Sequence, residues 1–338
     1  MRIRSRSVFI IYFLGLLLIA LFLLDIRLGS ISITFADMLG HLTGKGTLSE
    51  QQVLILTKFR LPRIATALMA GAALPVCGLQ MQTLFRNPLA GPYVLGITSG
   101  ASFGAALVVL GAGATSIVAT WSLAIAAWIG AGTVMMLLLF VSYRIKDVMT
   151  ILILGIMCAS GLAAIISIMQ YFSQASALKS FVIWSMGSLG NVTGAQLTIM
   201  AWAILPLLLL TLAYSKVLNG LMLGEEYALS MGVRIQRTRL IIFATTSILA
   251  GTITAFCGPI GFIGIAVPHM TRFLLNRSDH RVLIPASMLT GMVVMVFSDI
   301  VSRLPGTDQI LPINAVTSLI GIPVVIWLVV INRRAQSL

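Results

Sequence analysis

Apolar and polar positions along this chain follow neither the 3.6-residue alternation of a solvent-facing helix nor the two-residue alternation of a half-buried strand. They form long apolar runs separated by short polar connections, at 8–26, 60–84, 93–112, 117–143, 148–172, 194–213, 237–257, 261–275, 282–303 and 315–331. Runs of about twenty residues match the ~30 Å hydrocarbon core of a bilayer at ~1.5 Å per helical residue. The pattern predicts an all-α polytopic membrane protein with about ten transmembrane helices. No Asp, Glu, Lys or Arg occurs from Asn87 to Tyr143. That stretch is too long for one helix, and Gly111 and Gly113 supply the break. The run at 261–275 is short and interrupted by glycines. The N-terminus imitates a signal peptide, with Arg2, Arg4 and Arg6 ahead of an apolar body from Val8 to Leu24. The body is longer than a signal core and no A-x-A site follows it, so the first span is expected to be retained, with its N-terminus in the cytoplasm.

Composition sharpens the class. Of 338 residues, 59% are hydrophobic and only 9% charged, against ~25% charged in soluble domains; a soluble enzyme is excluded. The net charge of +13 does not point to nucleic acid, because the basic residues stand singly or in small groups between apolar runs. With ten spans the C-terminus returns to the cytoplasm. The inside then holds Arg2, Arg4, Arg6, Arg86, Arg144, Lys146, Lys216, Arg234, Arg237, Arg239, Arg272, Arg277, Arg281, Arg333 and Arg334, fifteen of the 22 Lys and Arg. The outside holds the other seven, Arg27, Lys45, Lys58, Arg60, Arg63, Lys179 and Arg303. This bias supports the orientation, yet the stretch TKFRLPR (Thr57 to Arg63) contributes three of the seven exceptions. Residues 1–338 read as one transmembrane domain with approximate halves 1–172 and 194–338 and a cytoplasmic loop at 214–239. Cys77, Cys158 and Cys257 all lie in apolar runs without metal-ligand spacing, as small helix-packing residues do.

An internal echo relates the halves. AGAALPVCG (Ala70 to Gly78) and AGTITAFCG (Ala250 to Gly258) share Ala-Gly, five residues, then Cys-Gly; at the same offset Pro88 matches Pro268. The echo maps the second span onto the seventh. Five spans per half is an odd number, so the halves would be inverted repeats, as in many transporters. Chance similarity in a Gly/Ala-rich chain is the competing explanation.

Catalytic chemistry is absent from the pattern. The nine acids are Asp25, Asp37, Glu50, Asp147, Glu225, Glu226, Asp279, Asp299 and Asp308. Nearly all fall in loops or at helix ends, whereas ion-coupled carriers need ionisable groups within the membrane. Asp299, the deepest, stands four residues before Arg303, a spacing that suits a helix-end ion pair. The stretch GHLTGKGT (Gly40 to Thr47) imitates a phosphate-binding loop, but it has three residues between Gly40 and Gly44 instead of four, and Gly after the Lys. The chain therefore carries no ATP site of its own. In the loop at 214–239, LGEEYALSMGV reads as a short helix with Glu225 and Glu226 at its positive end and Gly232 closing it. A partner's docking element and a solvated connector both fit that reading. His41 and His280 stand alone and read as surface residues, and the 17 methionines as flexible packing. The small residues Gly100, Ala101 and Ser102, and those from Gly155 to Gly161, permit close helix contact.

The ordered motifs RLPRIATALMAGAAL, GLQMQTLFRNPLAGPYVLGITSGASFG, LGEEYALSMGV, GPIGFIGIAVPHMTR, DHRVLIPASMLTGMVVMVFSDIVSR and LPINAVTSLIGIPVVIWLV, spanning Phe59 to Leu328, resemble the FecCD-type (BtuC-like) permeases. These are the membrane subunits of ABC importers for iron-siderophores, haem and cobalamin. The resemblance implies the BtuC-like type II importer fold in the inner membrane and pairing with a second permease copy. It also implies two cytoplasmic ATPase subunits that use ATP and Mg, and an extracytoplasmic substrate-binding protein. No cofactor is implied for this chain. It assigns ATPase coupling to Gly224, Glu225, Glu226, Ala228 and Gly232, and the cytoplasmic gate to the turn Asn87, Pro88, Leu89 and Ala90. The loop Arg144 to Thr150 would neighbour that gate but lacks the Ser/Thr-rich character of some relatives. Arg60, Arg63 and Arg303 match outer arginines that receive acidic residues of the binding protein, a task suited to the bidentate guanidinium fork. Anchoring helix ends at lipid headgroups is the alternative for them. His269 could be a haem ligand, but the Pro-His pair also occurs in relatives with other cargo, which favours a structural role. Iron-siderophore is the leading cargo; an ion-coupled carrier and a non-transporting scaffold are the alternatives from other classes.

Overall fold

A computed structural model of the chain describes residues 2–28, 40, 48–111, 118–145, 147–303 and 310–336. The chain forms α1 (Arg2–Arg27), α2 (Glu50–Leu84), α3 (Ile97–Gly111), α4 (Val118–Arg144), α5 (Val148–Phe172), α6 (Ala175–Ser185) and α7 (Gly194–Ala213). It continues with α8 (Ser215–Leu223), α9 (Glu225–Ser230), α10 (Ile235–Cys257), α11 (Ile263–Leu275), α12 (His280–Ser302) and α13 (Ile313–Gln336). Among the described residues, seven of these are long and apolar enough to cross a membrane, and α3, α11 and the stretch Ile313–Trp327 of α13 add three shorter apolar segments, ten in all. The stretch from 41 to 47, with His41, lies outside the described residues.

Local chemistry sets the ends. Thr193 and Gln196 form a reciprocal capping box at the start of α7, and Asp147 and Asp279 cap α5 and α12; each side chain takes up backbone N–H groups that the helix leaves unpaired. The structure departs from the sequence pattern in three places. The second span starts at Glu50, not at residue 60, so TKFRLPR is helical, with a π-helical stretch at Leu56–Arg60. Pro62 accounts for the widening: it has no N–H for the Lys58 carbonyl, and its ring crowds that carbonyl. The third span starts at Ile97, because the short 3₁₀ turn Pro92–Leu95 and the left-handed Gly96 (φ +71°) precede it. The connection between the fifth and sixth spans carries the helix α6, which docks through Ala177 and Phe181.

Burial orders the bundle. In their most apolar windows, α2 is 83% and α10 72% buried, against 11% for α1 and 17% for α5. The two echo helices are therefore the centre, and Cys77 and Cys257 are both buried within it. The packing is symmetric under exchange of the halves. α2 packs on α12 as α10 packs on α4, α2 on α11 as α10 on α3, and α3 on α5 as α11 on α13. This repetition is what two copies of one five-helix unit would produce, and it supports the repeat over chance.

Two central crossings share one device. Pro75 and Pro268 lack the N–H that would engage the carbonyls four residues earlier, on Gly71 and Gly264. The Gly71 carbonyl instead lies against Gly291, and the Gly264 carbonyl against Gly78, where any Cβ would collide with it. Glycine on the facing helix is required at both places, and its Cα–H groups give the released carbonyls a weak partner.

Candidate functional site

The sequence-predicted residues gather at the two ends of α2, whose 24 residues from Leu61 to Leu84 separate them by about 35 Å. The end at Leu84 is the one the basic residues assign to the cytoplasm. There α8 turns sharply into α9 through Gly224, whose φ of +125° only glycine holds without strain. Ala228 is fully buried, and Gly232 closes α9 in the left-handed region at φ +81°. The Gly232 N–H bonds the Leu229 carbonyl at 2.9 Å and the Val233 N–H bonds that of Ala228 at 3.0 Å, the Schellman pattern. Glu225 pairs with the buried Arg239 of α10 at 2.6 Å, which ties α9 down on one side. Tyr227, Leu229 and Met231 of this segment are each about half exposed, with the exposed Glu226 beside them. Exposed apolar side chains in a connection between spans mark a contact surface.

The turn Asn87–Ala90 follows directly after α2. Arg86 leaves the helix with φ +47°, a left-handed conformation that costs a non-glycine residue about 1–2 kcal/mol. Its guanidinium lies against Gly224, where a Cβ would sit 2.5 Å from Nη2. The strained residue thus carries a contact from the turn to the start of α9. Within the turn the Asn87 side chain accepts the Leu89 N–H at 2.9 Å, and the Ala90 N–H bonds the Asn87 carbonyl at 3.1 Å. Asp147 accepts the backbone N–H groups of Met149 (3.3 Å) and Thr150 (2.9 Å) and the Thr150 hydroxyl (2.5 Å). These bonds, the Thr150 hydroxyl foremost, hold its carboxyl below the usual range. Thr83, Arg86, Asp147, Met149, Glu225 and Arg239 line one cleft of roughly 270 Å³. The structure therefore brings the end of α2 with Arg86, the start of α5 and Glu225 of α9 together around a single concavity of mixed charge, which the turn Asn87–Ala90 adjoins but does not line.

At the opposite end, the three predicted arginines are engaged within the chain. Arg60, 6% exposed, donates from Nη1 to the Ile26 carbonyl of α1 at 2.5 Å. Arg63 Nε lies 2.8 and 3.0 Å from the two carboxylate oxygens of Asp299, and its Nη2 donates to Ser302 at 3.1 Å. Arg303 pairs with Asp25 and, at 3.0 Å, with Asp299, and it donates to the Leu28 carbonyl at 3.2 Å. Asp25 and Asp299 are fully buried. The sequence pattern anticipated the Asp299–Arg303 pair but not its extension to Arg63 and Asp25. The result is a clasp of alternating charge that joins α1, α2 and α12 at one membrane edge.

Further polar residues went unnoticed in the sequence. Gln80, at the heart of α2, donates to Thr211 at 3.0 Å and accepts from Thr246 (2.8 Å) and Thr245 (3.2 Å), so all its partners are hydroxyls of α7 and α10. The signal was a glutamine inside an apolar run, read against the Thr-Thr pair at 245–246. His280, expected at the surface, is fully buried. Its Nδ1 donates to Asn219 of α8 at 2.8 Å, and its Nε2 lies 2.8 Å from the Thr83 hydroxyl of α2. A histidine at the first residue of a capped helix can be drawn inward by such partners, which sequence spacing does not disclose.

Comparison with known proteins places this architecture. The model of the FecCD transport family matches residues 17–331. The vitamin B12 import system permease protein BtuC of Klebsiella pneumoniae is 38% identical over 287 residues, 85% of either chain. The hemin transport system permease protein HmuU of Yersinia pestis is 33% identical over 327 residues, 96% of either chain. Among solved structures, an inward-facing metal-chelate-type ABC transporter superposes with a TM-score of 0.84 at 30% identity, covering 95% of this chain and 98% of its own. A match of this extent, on a fold of ten apolar helices with the motifs in place, shows that the chain belongs to the FecCD transport family.

Proposed function

We propose that this chain is the membrane-spanning permease subunit of an ATP-binding-cassette importer that moves a metal chelate inward. An iron-siderophore is the leading cargo, with haem and cobalamin as the alternatives. The relatives' names, a vitamin B12 importer and a hemin importer, support the cargo class. The observation that carries the reading is α9: a short, firmly capped helix held by Glu225–Arg239, with Tyr227, Leu229 and Met231 turned outward. It adjoins, through Arg86, the turn that would gate the pathway. A partner ATPase that grips α9 would pull on Gly224 and on that turn together. Two such ATPases, a second permease copy and a substrate-binding protein complete the proposed assembly, with ATP and Mg bound by the ATPases alone. Docking of the binding protein at Arg63 and Arg303 requires exchange with Asp299 and Asp25, since the clasp already occupies these guanidinium groups, and docking at Arg60 competes with the Ile26 carbonyl.

The test is transport in proteoliposomes that contain the permease with its ATPase and binding protein. Uptake of one of the three chelates should require ATP hydrolysis and the binding protein. Uptake supported by a proton or sodium gradient without the ATPase would overturn the reading in favour of an ion-coupled carrier.

A further inference from the structure

His269 sits on α11 directly after Pro268, the repeat partner of Pro88, and is 6% exposed. Its Nε2 lies 2.6 Å from the Pro88 carbonyl. A carbonyl only accepts, so the ring proton is on Nε2 and the histidine donates. The Gln82 amide nitrogen, 3.4 Å from the same Nε2, is then a neighbour and not its partner. Gln82 is committed elsewhere: its oxygen accepts Arg272 Nη1 at 2.6 Å and its nitrogen donates to the Ile265 carbonyl at 3.4 Å. Both bonds join the last turn of α2 to α11. Among the described residues, the bond from His269 is the one that ties residues 87–90 to another helix; the turn's other bonds are its own. Arg86, left-handed at φ +47°, interrupts the helix just before the turn, so the turn is no rigid extension of α2.

We infer that His269 is a positioning residue for the turn Asn87–Ala90: its Nε2–H fixes the Pro88 carbonyl, so that the turn moves with α11. This rests on the reading of that turn as the gate. Movement of α11 relative to α2 would then displace the turn, and the Gln82–Arg272 bond marks the register in which α2 and α11 are locked in this structure. The neighbouring residue Thr83 contacts His280, which is bonded in turn to Asn219 of α8. The end of α2 is thereby anchored on the α8–α9 side while the turn answers to α11.

The test uses the full-length permease in lipid nanodiscs, with a nitroxide label at Leu89→Cys in a Cys158→Ser background. Leu89 is 43% exposed and tolerates a probe, and Cys77 and Cys257 are buried. Three variants separate a donated hydrogen bond from packing. His269→Gln places an amide N–H near the position of Nε2, His269→Asn falls one atom short, and His269→Leu keeps bulk without a donor. The Leu and Asn variants should mobilise the label and speed amide exchange at Leu89 and Ala90 about fivefold, the factor that one hydrogen bond is worth. The Gln variant should keep the wild-type spectrum. Equal label mobility in the Gln and Asn variants, or no change in either, would overturn the proposal even if the Leu variant fails to fold. A label mobilised as expected, with ATP-driven uptake unchanged, would support the tether and count against the gate reading of the turn.

Discussion

Neutralising Asp299 is the perturbation that probes the clasp most sharply. In the Asp299→Asn variant the shape is kept, but the carboxylate that faces Arg63 at 2.8 Å and Arg303 at 3.0 Å is lost. The arginine side chains are 14% exposed and the aspartate not at all. Removing one partner of a buried pair costs about 3–5 kcal/mol, because the other charge stays buried without compensation. Here Asp25 still holds Arg303, and Ser302 still accepts from Arg63, which puts the loss at the lower limit, about 3 kcal/mol. A double-mutant cycle of Asp299→Asn with Arg63→Gln, followed by tryptophan fluorescence during unfolding in mixed micelles, isolates the pair itself. The coupling energy should be about 2 kcal/mol, within the range for residues in direct contact. A coupling below about 0.5 kcal/mol, the value of exposed pairs, would refute the clasp as a structural element and return these arginines to docking or anchoring.

Gln80→Leu should cost only about 1–2 kcal/mol, since intramembrane hydrogen bonds average ~0.6 kcal/mol and Thr211 and Thr245 keep bonds to their own helices; a loss above about 4 kcal/mol would show that hydroxyl fallback does not operate. The two glutamates of α9 should part company: Glu226→Lys, at an exposed site, should abolish ATP-driven uptake while the permease keeps its melting temperature. Glu225→Ala breaks the pair with Arg239 and should lower the melting temperature as well, and identical behaviour of the two would contradict the division. The Asp147 carboxyl has a lowered pKa in the folded chain, so its stabilisation of the α5 start is complete above the unfolded value and fades as pH falls through the folded one. The Thr150 amide resonance should titrate with a midpoint below 3.8 and become flat in Asp147→Asn, which caps equally well; a midpoint above 3.8 would overturn the capping account.

The span count, the division of 87–143 into two helices, the echo of Ala70–Gly78 in Ala250–Gly258 and the capped helix at Glu225 were legible in the sequence. Each rests on a local cause: run length, a helix-breaking glycine, small residues that admit close contact, or a cap at a known offset. Partnerships across the chain were not. Arg63 and Asp299 are 236 residues apart and His269 and Pro88 are 181 apart, and nothing in either neighbourhood names the other. TKFRLPR shows the difference. Its charges read as exceptions to a topology rule as long as they are placed in a loop, and become intelligible once Pro62 and the π-helical stretch put Arg60 and Arg63 on a helix facing α1 and α12. His280 was misplaced for the same reason, since its burial depends on Asn219 and Thr83 rather than on its sequence neighbours.

ATP dependence of chelate accumulation by the reconstituted complex tests the central claim most directly. With permease, ATPase and binding protein together, accumulation inside proteoliposomes should follow ATP hydrolysis and vanish when the catalytic site of the ATPase is inactivated. Accumulation that persists in that inactivated complex, or that an ion gradient alone can drive, would contradict an importer permease energised through α9.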